Sequence, residues 1–549
     1  MRGLPASGGS GEGRAMDGDG MPRTVAEGLL ATLAARGTRR IWGVPGGGSS
    51  LDLIAGADPA GLDFVLCRHE GSAAMMAVAD AELTGAPGVV LTTKGPGLMN
   101  AANGLACATL ERAPVMLVSD GFTPAQLAYI THQVFDQRDA TAAVVKGYAR
   151  GESAAEIGAL LDDAVADPAG AVHLDLTSAA AKRVMPFAVP YPRGASEPAD
   201  VAPVAALLAG ARRPVMVLGL EAARIDAAPV RALAEALGCP VLATYKAKGV
   251  VPDGHRLFVG LFTGGTLEAD CVAAADLILL VGLDPVELIL QPWRHAAPVA
   301  ELAARPFPVH YVTPAAGAYG CLATSVAALR TGVRASDWRA EEIAAHRDTM
   351  RAALAWQGQG GVAPPRIVEM AAEAAARAGR HPRASVDAGA HMFSATAFWP
   401  CHAPRDLLIS NGLASMGFAL PAAIAAALHD PARGAVAFTG DGGLMMCLAE
   451  LATAAERRAR MVTIVFNDGA LSLIDVKQQQ RQLAPEGVRW PRADFAAVAE
   501  GLGARGFRAA DEAALAAALD AALAHDGPSL VDVLVEPAGY LRQLQAMRG

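Results

Sequence analysis

Short apolar runs alternate with Ala-rich amphipathic stretches along almost the whole chain. The runs "GVVLTT" (88–93), "RPVMVLG" (213–219), "LILLVG" (277–282), "GAVAFTG" (434–440) and "MVTIVF" (461–466) are too short for helices and lack polar alternation. That is the pattern of strands buried on both faces. Strands separated by amphipathic helices predict parallel sheets, so the fold class is α/β throughout. Two Pro/Gly-rich breaks, 189–200 and 357–366, divide the chain into thirds. The expected domains are 23–190, 198–350 and 365–549, after a Gly-rich extension over 1–22 that is expected to be disordered.

The outer thirds repeat one another. Laying 70–119 over 416–465 without a gap matches Gly71, Gly88, Val90, Thr93, Gly97, Leu98, Met99, Leu105 and Arg112 with identical residues. Both copies read as strand, glycine turn and helix. Asp441 falls on Gly95 and Asn467 on Gly121, so any chemistry those two polar residues carry belongs to the later copy alone.

That chemistry lies in 435–469. A strand over 435–439 stops at Gly-Asp-Gly, a helix is expected over 444–459, and a second strand over 461–466 stops at Asn-Asp-Gly. In a right-handed βαβ unit the two strands run the same way, which brings Asp441 and Asn467 to one carboxyl edge. Gly440, Gly442 and Gly443 allow a tight turn whose N–H groups can approach an anion at the helix start. A carboxylate, an amide oxygen and a main-chain oxygen suit Mg²⁺, which keeps phosphate oxygens among its ligands. The implied ligand is a diphosphate bridged to the protein by a metal.

Composition narrows the class. With 549 residues, 52% hydrophobic and 5% aromatic, Ala, Val and Leu must carry the packing. A net charge of -9 without a basic stripe argues against nucleic acid. Seven scattered cysteines without a C-x-x-C pair predict reduced, buried thiols rather than disulfides or a zinc site. Residues 1–22 lack the apolar core of a signal peptide, and no run reaches the length of a membrane span, so a cytoplasmic protein is expected.

"GDGG" followed by "NDG" resembles the cofactor motif of the thiamine-diphosphate-dependent decarboxylase and carboligase family, and the chain is similar to its flavin-free, acetolactate synthase-like branch. "WGVPGGGSSLDLI" (42–54), "CRHEGSAAMMA" (67–77) and "TTKGPGLMNAANGL" (92–105) resemble the family's pyrimidine-binding domain. "SNGLASMGFALPAA" (410–423) resembles the segment before the diphosphate motif. The resemblance implies three doubly wound parallel-sheet domains: pyrimidine-binding, central and diphosphate-binding. It further implies that Asp441, Asn467 and the Gly469 carbonyl hold Mg²⁺, and that Glu70 exchanges a proton with the thiamine aminopyrimidine. Met416 would support the folded cofactor, with the Ala414 carbonyl at the pyrimidine edge. Cofactor contacts are also implied for Pro45, Gly46, Gly47, Ala390, His391, Gly440, Gly442, Gly443, Ala470 and Leu471. Many members carry a hydroxyl residue where Gly443 stands, so backbone donors are expected to replace that contact. Gln133 matches an active-site Gln, and His132 beside it is a candidate proton donor.

The resemblance also sets limits. The central third lacks the glycine-rich loop and Arg segment of flavin-containing members, which argues against FAD. The segment 470–483 is expected to line the substrate pocket with Leu471, Ser472, Leu473 and Val476. The implied enzyme decarboxylates a 2-oxo acid such as pyruvate and passes the product to a proton or a second carbonyl. A lyase of 2-hydroxy ketones or acyl-CoA compounds is the catalytic alternative, and a silent thiamine-binding subunit the non-catalytic one. The family builds its site between two chains, so a homodimer at least, and a homotetramer by analogy, is expected.

Overall fold

The computed structural model describes residues 22–187, 198–289, 291–356 and 361–549. The extension expected to be disordered, but for its last residue, and most of the first Pro/Gly-rich break lie outside the described residues.

Three six-stranded sheets follow one another, each parallel throughout, with helices on both faces. In their own sequence numbering, the strands of the first and third sheets both take the spatial order 2-1-3-4-6-5. The central sheet takes the order 3-2-1-4-5-6, that of a dinucleotide-binding fold. The elements that carry the argument in the first sheet are helix α1 (Glu70–Thr84), strand β1 (Gly88–Thr92), helix α2 (Pro96–Leu110) and strand β2 (Val115–Gly121). In the third they are helices α3 (His391–Phe398) and α4 (Ala419–His429), strand β3 (Ala435–Gly440), helix α5 (Asp441–Met445), strand β4 (Met461–Asn467), and helices α6 (Ser472–Gln480) and α7 (Tyr540–Arg548).

The internal repeat survives in backbone detail. Arg112 and Arg458, matched by the alignment, both adopt the left-handed conformation, at φ 56° and 48°. Each then lets the next residue bond back into the preceding helix, Ala113 to Ala108 at 2.8 Å and Ala459 to Ala454 at 2.9 Å. A non-glycine residue at positive φ is uncommon, so two at equivalent positions mark shared architecture.

Small side chains decide how the first and third domains meet. Ala73, Met76 and Ala77 of α1 and Phe418, Ala422 and Ala426 of α4 are buried in one cluster that also takes Leu98 and Leu444. Within the first domain, α1 and α2 pack so closely that a Cβ on Gly104 would lie 2.1 Å from the Ala74 methyl. Larger residues would separate these helices and the site loops at their amino ends.

The single helix expected over 444–459 is divided. Helix α5 ends at Met445, and a second helix, Glu450–Glu456, begins after a turn. The turn lets the buried Glu450 carboxylate accept the N–H groups of Arg68 and His69, each at 3.0 Å, which tethers the start of α1 to the third domain. Six of the seven cysteines are buried, Cys321 is partly so, and all are free thiols. Among the described residues no helix is long and apolar enough to cross a membrane.

Candidate functional site

Strands β3 and β4 pair in parallel with Gly440 opposite Phe466, so the next residues, Asp441 and Asn467, leave the sheet side by side. Asp441 is 1% exposed. Its Oδ2 accepts the Gly469 N–H at 2.8 Å and its Oδ1 the Gly442 N–H at 2.9 Å. Burial, and then the neighbouring Asp468 carboxylate, push its pKa up to about 7 against the donors that pull it down. A bound cation would favour the ionised form of a carboxylate so placed.

Asn467 supplies the complementary observation. Its Nδ2 donates to Asp532 Oδ1 at 2.8 Å and to the Ala493 carbonyl at 3.0 Å, which fixes the orientation of the amide. Its Oδ1 is then buried without a hydrogen-bond partner. Gly469, at φ 73°, turns the chain here, and its carbonyl accepts the Trp490 N–H at 2.9 Å with a lone pair to spare. Among the described residues there is no group of three or more His, Cys, Asp or Glu side chains able to hold a metal ion. One carboxylate, one unpartnered amide oxygen and one carbonyl still form an all-oxygen donor set that fits a hard divalent cation.

Beside this clamp lies a cavity of about 330 Å³. Ala390 and His391 form one wall, Ala414 and Met416 another, and the glycine turn at 440–443 the floor. His391 opens α3, is 4% exposed, and is held neutral by burial, which lowers its pKa to about 4. Its ring lies against Phe466, centroids 5.3 Å apart, and its Nε2 has no partner. Ala414 adopts φ 55°, and a Cβ on Gly442 would touch Leu471, Trp490 and the Met416 methyl at 3.1–3.5 Å. Met416, Leu471 and the turn therefore face one space.

Asp387 explains Gly443. The buried carboxylate accepts Phe418 N at 2.7 Å and Ala419 N at 2.8 Å, capping α4, while its other oxygen accepts the Thr439 hydroxyl at 2.7 Å. A Cβ on residue 443 would fall 2.3 Å from that oxygen. Leu471, Ser472 and Leu473 line the cavity, together with Ile474, Asp468, Tyr540 and Arg548. Val476 instead packs against the third-domain core, because α6 turns it inward.

The first-domain residues gather at a different edge. Glu70 opens α1 and is 8% exposed; Asn100 Nδ2 donates to its Oε2 at 2.9 Å. A Cβ on Gly97 would lie 3.1 Å from Glu70 Oε1, and one on Gly95 would lie 3.2 Å from the Gln133 Cβ. Glu70 and Gln133 thus flank one glycine turn, which Gln137 ties down by accepting the Gly95 N–H at 2.9 Å. Gln133 is at φ 58°, and both it and His132 are exposed. The loop of Pro45, Gly46 and Gly47 sits against Asp120, which accepts the Gly48 N–H at 3.1 Å. A Cβ on Gly46 would fall 2.1 Å from that carboxylate, whereas Gly47 faces open space. None of these first-domain residues lines the third-domain cavity.

Sequence reasoning missed Asp387, Asp468, Asp532, Trp490, Tyr540 and Arg548. A signal existed for Asp532, an isolated carboxylate in the apolar run "SLVDVLV". Trp490 and Arg548 reach the site only through the tertiary fold.

Comparison with known proteins adds a family. Three models described as thiamine pyrophosphate enzyme match this chain: the N-terminal TPP binding domain over residues 23–142, the central domain over 201–329 and the C-terminal TPP binding domain over 387–533. The chain is similar to an acetolactate synthase of Bacillus subtilis (strain 168), with 27% identity over 93% of each chain. It is also similar to a catabolic acetolactate synthase of Raoultella terrigena, with 29% identity over 92% of this chain and 94% of the relative. A probable 2-ketoarginine decarboxylase of Pseudomonas aeruginosa is 28% identical over 93% of this chain and 94% of its own.

Proposed function

The chain belongs to the thiamine pyrophosphate enzymes, and from that premise we propose that it is a Mg²⁺-dependent 2-oxo acid decarboxylase or carboligase of the acetolactate synthase kind, with pyruvate or a related 2-oxo acid as donor. The observation that carries this reading is the buried, unpartnered Asn467 Oδ1 beside the buried Asp441 carboxylate, next to a cavity floored by glycines.

Bound thiamine diphosphate supplies the electron sink for breaking or making a bond beside a carbonyl. Asp441, Asn467 and the Gly469 carbonyl would hold Mg²⁺, and the backbone of the 440–443 turn, Ala390 and His391 the diphosphate. Met416 and Leu471 line the same cavity and would support the bound cofactor, the Ala414 carbonyl would accept from the pyrimidine, and Ala470 would add to the wall beside the diphosphate. Glu70, steadied by Asn100, would exchange a proton with the aminopyrimidine. Gln133 would orient the substrate, and His132 beside it would serve as a proton donor.

Because Glu70 and the clamp occupy different edges of one chain, the reading requires a second copy, at least a homodimer and by analogy a homotetramer. Exposed apolar residues support it: Tyr129, Val134 and Phe135 on the segment carrying Gln133, and Met445 and Met446 just after the clamp. The free, mostly buried thiols agree with a cytoplasmic setting. FAD is not expected in this reading, and Glu287 supports this. At the switch point of the central sheet its carboxylate accepts Leu220 N at 2.8 Å, Asp284 N at 3.2 Å and the Thr244 hydroxyl at 2.5 Å. Those donors would otherwise face a pyrophosphate.

The test is to supply purified protein with thiamine diphosphate, Mg²⁺ and a panel of 2-oxo acids, and to follow CO₂ and carbonyl products. Release of CO₂ from at least one member is expected. Aldehyde release from a 2-hydroxy ketone without any CO₂ would replace the reading with a lyase, and no turnover of either would leave a silent cofactor-binding subunit.

A further inference from the structure

The last turn of α7 reaches the cavity from outside the recognised motifs. Its backbone is anchored on the central domain: Thr266 donates to the Ala546 and Met547 carbonyls at 2.9 and 3.2 Å, and Gln291 Nε2 donates to the Arg548 carbonyl. Gln543 fastens the same helix to the third domain by donating to Ser394 Oγ at 2.9 Å. Arg548 is therefore held where it lines the cavity, its guanidinium carbon 5.9 Å from the centre of the Phe393 ring.

Phe393 lies two residues beyond His391 in α3. The wall beside Arg548 thus combines the amino end of an eight-residue helix, a buried neutral histidine with a free Nε2, and one guanidinium. Among the described residues Arg548 makes no ion pair, and it is the one permanent cation lining the cavity, against the carboxylates Asp441 and Asp468. The amino end of α3 itself favours an anion, and Arg548 adds a full positive charge beside it. Gly443, which has no hydroxyl to offer, removes a further donor.

We propose that Arg548 is a diphosphate-binding residue, supplying the charge-assisted contact to the outer phosphate beside Ala390 and His391, and so coupling cofactor binding to docking of α7 on the central domain. The assignment rests on the thiamine diphosphate reading above. A planar guanidinium at a phosphate forms short, charge-assisted bonds that a neutral side chain of similar length cannot replace.

Isothermal titration of the full-length apoprotein with thiamine diphosphate, thiamine monophosphate and inorganic pyrophosphate, each with Mg²⁺, tests it. Arg548→Met should weaken binding of thiamine diphosphate and pyrophosphate by about tenfold or more, leave the monophosphate within about threefold, and lose less as Arg548→Lys. Thermal unfolding of the three proteins shows whether each is folded, and the Lys variant keeps the comparison open if the Met variant is not. Unchanged diphosphate affinity in Arg548→Met overturns the proposal, as does an equal loss for the monophosphate, or a rise confined to the KM of a 2-oxo acid. Failure of the wild-type protein to bind thiamine diphosphate would instead overturn the functional reading on which the proposal stands.

Discussion

The side-chain amide of Asn100, on α2, donates to Glu70 Oε2 at 2.9 Å and so holds the first carboxylate of α1 from one turn inside the neighbouring helix. Close packing of α1 on α2 through Ala74 and Gly104 makes that bond possible. The proton exchange proposed for Glu70 would depend on where its carboxylate is held, and Asn100 bonds that carboxylate. Asn100→Ala should lower kcat by about tenfold with the affinity for thiamine diphosphate little changed. Steady-state kinetics alongside calorimetry check this, and an unchanged kcat would remove Asn100 from the account.

Asp532 orients the Asn467 amide, whose unpartnered oxygen is the second donor of the proposed metal clamp. Asp532→Ala frees that amide to turn, and Mg²⁺-dependent binding of thiamine diphosphate should weaken by about 10–100-fold. Titration of the variant with Mg²⁺ at fixed cofactor measures it.

At residue 443 the hydroxyl that the family resemblance implies does not fit this chain. Gly443→Ser places a Cβ 2.3 Å from Asp387 Oδ2, which must move and loosen its hold on α4. A loss of about 1–3 kcal/mol in stability is expected, read from denaturant unfolding, together with weaker cofactor binding. A variant as stable as the wild type would mean that Asp387 is free to shift.

His173 lies buried in the first sheet between the Ser119 hydroxyl, at 2.8 Å, and the Thr141 hydroxyl, at 3.0 Å. Burial lowers its pKa from 6.5 to about 3. The unfolded chain takes up a proton below pH 6.5 that the folded chain refuses, so this group leaves stability intact above 6.5 and costs it progressively as pH falls from 6.5 towards about 3. The total is on the order of a few kcal/mol. His173→Gln should flatten the acid side of a stability-against-pH curve; an unchanged slope between pH 6 and 4, the window on the order of the shift, would contradict this.

What could be read in advance follows from the range of each interaction. The strand ends carrying Asp441 and Asn467 are set by local apolar runs and by the handedness of one βαβ unit, so their convergence was legible. The repeat was legible because both copies use the same turn, down to the positive φ of Arg112 and Arg458. The division of the helix after Gly443 was hidden, since its reason is the reach of Glu450 to Arg68 and His69 in another domain. The family resemblance implies Val476 in the pocket, whereas in the fold Val476 packs against the third-domain core and Ile474 lines the cavity. Asp387, Trp490 and Arg548 meet the cavity across long sequence separations that no local pattern records.

Hydrogen–deuterium exchange at the C2 carbon of bound thiamine diphosphate tests the central claim most directly, because it needs no knowledge of the physiological substrate. NMR of the wild-type complex with Mg²⁺ should show rapid exchange, and Glu70→Gln should slow it by about 10²-fold or more while the cofactor stays bound. Equal exchange rates in the two proteins would contradict the account.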